Sequence, residues 1–174
     1  MTFLVDGYEA IRDFFEAGGG VLYWILFVTI FMWTLIVERI WYLYFVMPRR
    51  LETEKQAWEA RGSTQSWAAK RIRDAIISRV RVDAHQSILV IKTLMAILPL
   101  LGLFGTVWGM IQVFEIMAIF GTGNARLMAG GVSKATIPTM AGLVAALSGL
   151  YLSTHLEHRA NTEVERLEDM LVHH

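Results

Sequence analysis

Thr106, Thr139, Glu115 and Lys134 are the residues of this chain whose types and positions invite chemistry, because each sits among long runs of apolar neighbours. A threonine hydroxyl donates and accepts hydrogen bonds, but it cannot hold or release a proton at neutral pH. Any ionisable group at the level of Thr106 and Thr139 must therefore come from elsewhere. Lys134 lies about two turns into an apolar helix, where a charged ammonium near the bilayer centre costs on the order of 3 kcal/mol unless it pairs or snorkels outward. Glu115 offers a partner, and a Glu115–Lys134 ion pair within or between subunits answers that cost. A direct role of the two charges in transport is the alternative. Glu38, beside Arg39, reads as half of an interfacial ion pair or as a buried functional acid.

The small residues around the threonines say what must position them. Gly102, Thr106 and Gly109 fall at spacings of four and three, which puts them on one helical face. Ala135, Thr139, Gly142, Ala146, Gly149 and Ser153 repeat the pattern over a longer stretch, the heptad seam of a closely packed helix pair. If the two helices are antiparallel around a turn at Thr122–Gly123, each threonine lies about 16 residues from the turn, so at about 1.5 Å per residue the hydroxyls share one depth near mid-membrane. Two readings stand: a polar ring formed when subunits assemble around an axis, or hydrogen bonds made only within the packed helices, Thr106 to its own backbone included.

The elements follow from composition. The chain has 174 residues, 55% of them hydrophobic, and a mean hydropathy of +0.44, too apolar for an ordinary water-soluble domain. We expect an all-α membrane protein with three transmembrane helices and long helical cytoplasmic extensions. Residues 1–20 read as an amphipathic helix at the outer (periplasmic) surface, ended by Gly18-Gly19-Gly20, with no cleavable leader evident. A first span follows over 21–47, flanked by Trp41, Tyr42 and Tyr44 and closed by Pro48. Residues 48–87 form a basic loop, which the positive-inside rule places in the cytoplasm. Within it, Gly62-Ser63-Thr64 breaks the chain and caps a helix with an apolar stripe of Ala68, Ile72, Ala75, Ile76 and Val80. The second span covers 88–120, a turn 121–125 lies outside, and the third span covers 126–154. A cytoplasmic helical tail, 155–174, carries acids able to pair with the basic loop and one stripe of Leu156, Val164, Leu167 and Leu171. Pro138 removes the donor for the Lys134 carbonyl and predicts a local bend.

Several classes are excluded or disfavoured. The absence of cysteine removes disulfides and thiolate metal sites. Zero formal net charge gives no global basic field for nucleic acid. No P-loop, nucleophile elbow or HExxH occurs, so no enzyme constellation, metal site or cofactor is expected. His155 and His158 read as a solvated helix face.

Leu98-Pro99-Leu100-Leu101-Gly102-Leu103-Phe104-Gly105-Thr106-Val107-Trp108-Gly109 resembles the second-helix signature of the MotA/TolQ/ExbB proton-channel family. Gly121-Thr122-Gly123 with the run Arg126 to Ser133 resembles its ExbB branch, and Thr139 to Ala146 its third helix. The resemblance implies a homopentamer around a central pore lined by Thr106 and Thr139. It implies an ExbD-like single-span partner whose aspartate carries the proton, and a TonB-like protein that energises outer-membrane import. A TolQ- or MotA-like stator for envelope maintenance or motility is the alternative within the family, although the short cytoplasmic loop is unlike MotA; a non-conducting membrane scaffold is the alternative outside it. Lys134 stands where relatives of this branch often have glutamate.

Overall fold

The computed structural model describes residues 2–60, 67–121 and 125–171, and every one of these segments is helical. Helix α1 runs Thr2–Trp41, a π turn covers Tyr42–Val46, α2 runs Met47–Glu59, α3 Trp67–Phe120 and α4 Ala125–Met170. The expected break at Gly62-Ser63-Thr64 with its cap, the turn residues Thr122, Gly123 and Asn124, and the terminal histidines lie outside the described residues.

Three of these helical stretches, Gly18–Trp58, Trp67–Ile119 and Met128–Met170, are long and apolar enough to cross a membrane. At 54 residues, α3 is about 80 Å long at 1.5 Å per residue. A hydrocarbon core is only ~30 Å thick, so a large part of α3 must lie outside it. The second span and the loop helix before it are thus one continuous helix.

Local sequence explains where helices bend and stop. Gly19 has φ 66° and ψ −165°, a region open essentially to glycine alone, and it kinks α1 between the amphipathic segment and the first apolar run. Gly121 has φ 78°, and its N–H donates to the Met117 carbonyl at 2.9 Å, a left-handed glycine cap on α3. Pro48 does not close a helix. It sits in the first turn of α2, directly after the π turn Tyr42–Val46, and the helical path runs on through it. The π turn just before it absorbs an extra residue without ending the helical path.

The chain forms two compact units, Met1–Met32 with Thr93–Gly149 and Trp33–Lys92 with Leu150–His174. The second buries Leu156, Ala160, Val164 and Leu167 as one stripe of α4, continued by Leu171 just past its end. On α3 the buried positions are Ala69, Val80, Ala84, Ile88 and Ile91. Of the expected stripe, Val80 is buried and Ile76 half-buried, whereas Ala68, Ile72 and Ala75 are exposed and Ala69 is buried in their place. Apolar residues continue around this part of α3, and no single phase stands out in the sequence.

Charges tie this second unit together. Arg81 meets Glu168 at 2.5 Å, and Lys92 meets Glu157 at 2.7 Å. Arg39 is buried, lies over the Tyr42 ring at 4.6 Å, and donates to the main-chain carbonyl of Asp83. Arg50 takes the Asp83 carboxylate at 2.7 Å and approaches the Tyr42 hydroxyl at 3.3 Å. The Arg39 guanidinium thus donates to α3 while still interacting with the neighbouring Glu38, whose side chain is exposed and so is not a buried acid.

Candidate functional site

The first unit holds all four chemically suggestive residues. Its organising contact is the antiparallel approach of α3 and α4. A Cβ placed on Gly102 would sit 2.9 Å from both the Pro138 oxygen and the Thr139 Cα. One on Gly142 would sit 2.6 Å from the Leu98 oxygen, and one on Gly109 2.6 Å from the Ala135 Cβ. The backbones approach so closely that only glycine fits, which is how small side chains drive helix association in lipid. Ala135 and Gly149 are buried, and Ala146 is half-buried; Gly149 lies under Met32. Pro138, buried against Gly105, completes a seam that the regular spacing of small residues had not included.

The two threonines have different surroundings. The Thr139 hydroxyl donates across the seam to the Gly102 carbonyl at 2.9 Å. The Thr106 hydroxyl donates to Leu103 of its own helix at 2.6 Å. Thr139 is thus level with Gly102, and Thr106 lies four residues along α3 toward the turn, about 6 Å away at 1.5 Å per residue. Counting from the turn placed both at one depth because it assumed equal progress along two helices. The seam contacts fix the register otherwise.

Glu115 and Lys134 are both exposed, and no ion pair joins them among the described residues. Lys134 instead lines a pocket of about 230 Å³ together with Glu16, the Gly18–Gly20 kink and Gln112, over a floor of Gly105, Gly109 and Ala135. Glu115 does not line it. The sequence reading missed Glu16 and Gln112. Gln112 was within reach, since it follows Gly105 and Gly109 by seven and three residues on the same face. No cluster of three metal-ligating side chains occurs among the described residues.

Fold and site define an all-helical membrane protein with three apolar helices, its hydroxyls set beside a glycine-rich interhelical seam. The model of the MotA/TolQ/ExbB proton channel family matches residues 46–169, and the chain belongs to that family. This is a family of transport proteins, not of enzymes. A biopolymer transport protein ExbB of Salmonella typhimurium is 40% identical over 62 residues, 36% of this chain and 25% of that protein. The Tol-Pal system protein TolQ of Haemophilus influenzae is 38% identical over 73 residues, 41% of this chain and 31% of that protein. A putative ExbB homolog of Methanothermobacter thermautotrophicus aligns over 95% of this chain and 69% of its own length, at 22% identity. The match to the ExbB and TolQ relatives thus spans only about a quarter to a third of their length.

Proposed function

We propose that this chain is the proton-channel, or stator, subunit of a motor of the TonB–ExbB–ExbD type, assembled as a homopentamer around a central pore in a bacterial inner membrane. The amino end faces the periplasm and the carboxyl end the cytoplasm, following the basic residues of 48–87. A single-span ExbD-like partner brings the aspartate that carries the proton, and a TonB-like protein receives the motion. Beyond the family itself, the observation that carries this reading is the state of Thr106. Its hydroxyl hydrogen is spent on the Leu103 carbonyl, yet the group is only half-buried. Its oxygen lone pairs remain to accept hydrogen bonds from water or from a protonated acid on a partner helix. Thr139 contributes mainly to holding the helix pair, because its hydroxyl is engaged by Gly102.

Glu115 and Lys134 form no ion pair among the described residues, and a pair between them is no part of this proposal. A TolQ-type role in envelope maintenance is the second reading, supported by the similarity to the Haemophilus protein over a longer segment than the Salmonella one. Co-expression with the chain's own ExbD-like and TonB-like neighbours in cells lacking their ExbB and TolQ proteins separates the two. Recovery of proton-driven uptake supports the TonB-type reading. Repair of envelope leakage without uptake supports the TolQ type, and recovery of neither sinks the motor function.

A further inference from the structure

The pocket under the Gly18–Gly20 kink gathers polar groups from three helices. Glu16 comes from α1, Gln112 from α3 and Lys134 from α4. At about 230 Å³ it has room for several waters, since one needs only ~10–15 Å³ of such space. Gly105, Gly109 and Gly131 line it with backbone alone, their Cβ directions being taken up by Pro138, Ala135 and Val113. A further unmet group lies at the same place. Pro138 has no amide hydrogen, so the Lys134 carbonyl lacks its helical donor. Among the described residues no ion pair joins Lys134 to an acid, and the Glu16 carboxylate pairs with Arg12 at 3.0 Å through one of its oxygens.

We propose that this pocket is a water-filled vestibule entering the three-helix unit from the side of the α3–α4 turn, and that the Lys134 side chain is solvated there by water and faces Glu16, not Glu115. The ligands are water and small anions. The vestibule goes beyond the channel reading and does not depend on it, because it is built within one chain. The unusual Gly19 backbone has a consequence here: it carries Glu16 to the rim of the pocket instead of continuing straight with the first span. A lysine in an apolar helix then needs neither a partner subunit nor an acid on the neighbouring turn of α3.

The chain contains no cysteine, so a single introduced thiol is an unambiguous reporter. Gln112→Cys, in the full chain in native membranes, is treated with membrane-impermeant methanethiosulfonates, one anionic and one cationic. It should react from the side on which Asn124→Cys reacts, while Phe27→Cys, on an exposed apolar face of α1, stays unreactive. Adding Lys134→Met should lower the anionic-to-cationic rate ratio about a hundredfold, because unit charges ~10 Å apart at an effective dielectric of about 20 change each rate about tenfold in opposite directions. Adding Glu16→Gln should raise the ratio, and Glu115→Gln should leave it unchanged. An unreactive Gln112→Cys overturns the vestibule. A ratio indifferent to Lys134→Met, or responding to Glu115→Gln in place of Glu16→Gln, overturns the assignment of charges.

Discussion

Replacing Gly142 with alanine tests the α3–α4 seam where its Cβ position comes nearest to the facing backbone. The new methyl carbon would start 2.6 Å from the Leu98 oxygen and 3.3 Å from its carbonyl carbon, and both are backbone atoms. No rotamer change relieves such a contact, so the helices must separate by several tenths of an ångström. The adjacent Thr139–Gly102 hydrogen bond, 2.9 Å long, then stretches toward the limit of a useful bond. Overpacking costs about 1–3 kcal/mol and the interhelical bond about 1 kcal/mol more, so a loss of roughly 2–4 kcal/mol is expected. Gly130→Ala is the matched control, because nothing lies within 4 Å of its Cβ position and its backbone is helical. It should be neutral or stabilise by up to about 1 kcal/mol, the usual gain of alanine over glycine inside a helix. Unfolding of each purified variant in a denaturing detergent titration, followed by circular dichroism, reads the difference. Equal stability of Gly142→Ala and Gly130→Ala would refute the close-packed seam.

Other consequences are independent of that seam. Tyr42→Leu removes the ring beneath the buried Arg39 and should destabilise the chain by about 2 kcal/mol, the size of a desolvated cation–π contact, in the same titration. Unchanged stability would mean that Arg39 is held by Asp83 alone. Thiols introduced at Gln86 and Asn124 should react from opposite sides of the membrane; reaction from one side removes the three-span topology. Native mass spectrometry in mild detergent should give a pentamer, and a stable monomer or dimer would remove the pore.

Much of this arrangement was legible in the sequence, for physical reasons. Long charge-free runs can be satisfied only in lipid, and the 4-3-4 spacing of small residues marked the face on which backbones meet. Helix continuity was less legible. Pro48 reads as a stop, yet the same residue suits a first turn, and a preceding π turn has no sequence signature as clear as proline. Register was also out of reach: the level of Thr139 against Gly102 depends on how side chains interlock, not on a count from the turn. The pocket around Lys134 joins residues more than a hundred positions apart, and no local pattern links Glu16 to Lys134.

Thr106→Val tests the proton path most directly. The substitution keeps the shape and deletes an oxygen that, among the described residues, bonds to its own helix, so assembly should be retained. Thr139→Val is less clean, since it also removes the bond to Gly102. The measurement is proton-driven uptake in cells carrying the full complex, with wild type, Thr106→Val and Thr106→Ser compared at equal oligomer content by gel filtration. Uptake should fall sharply with valine and largely survive with serine. Normal uptake by an intact Thr106→Val oligomer would contradict a proton path past this hydroxyl.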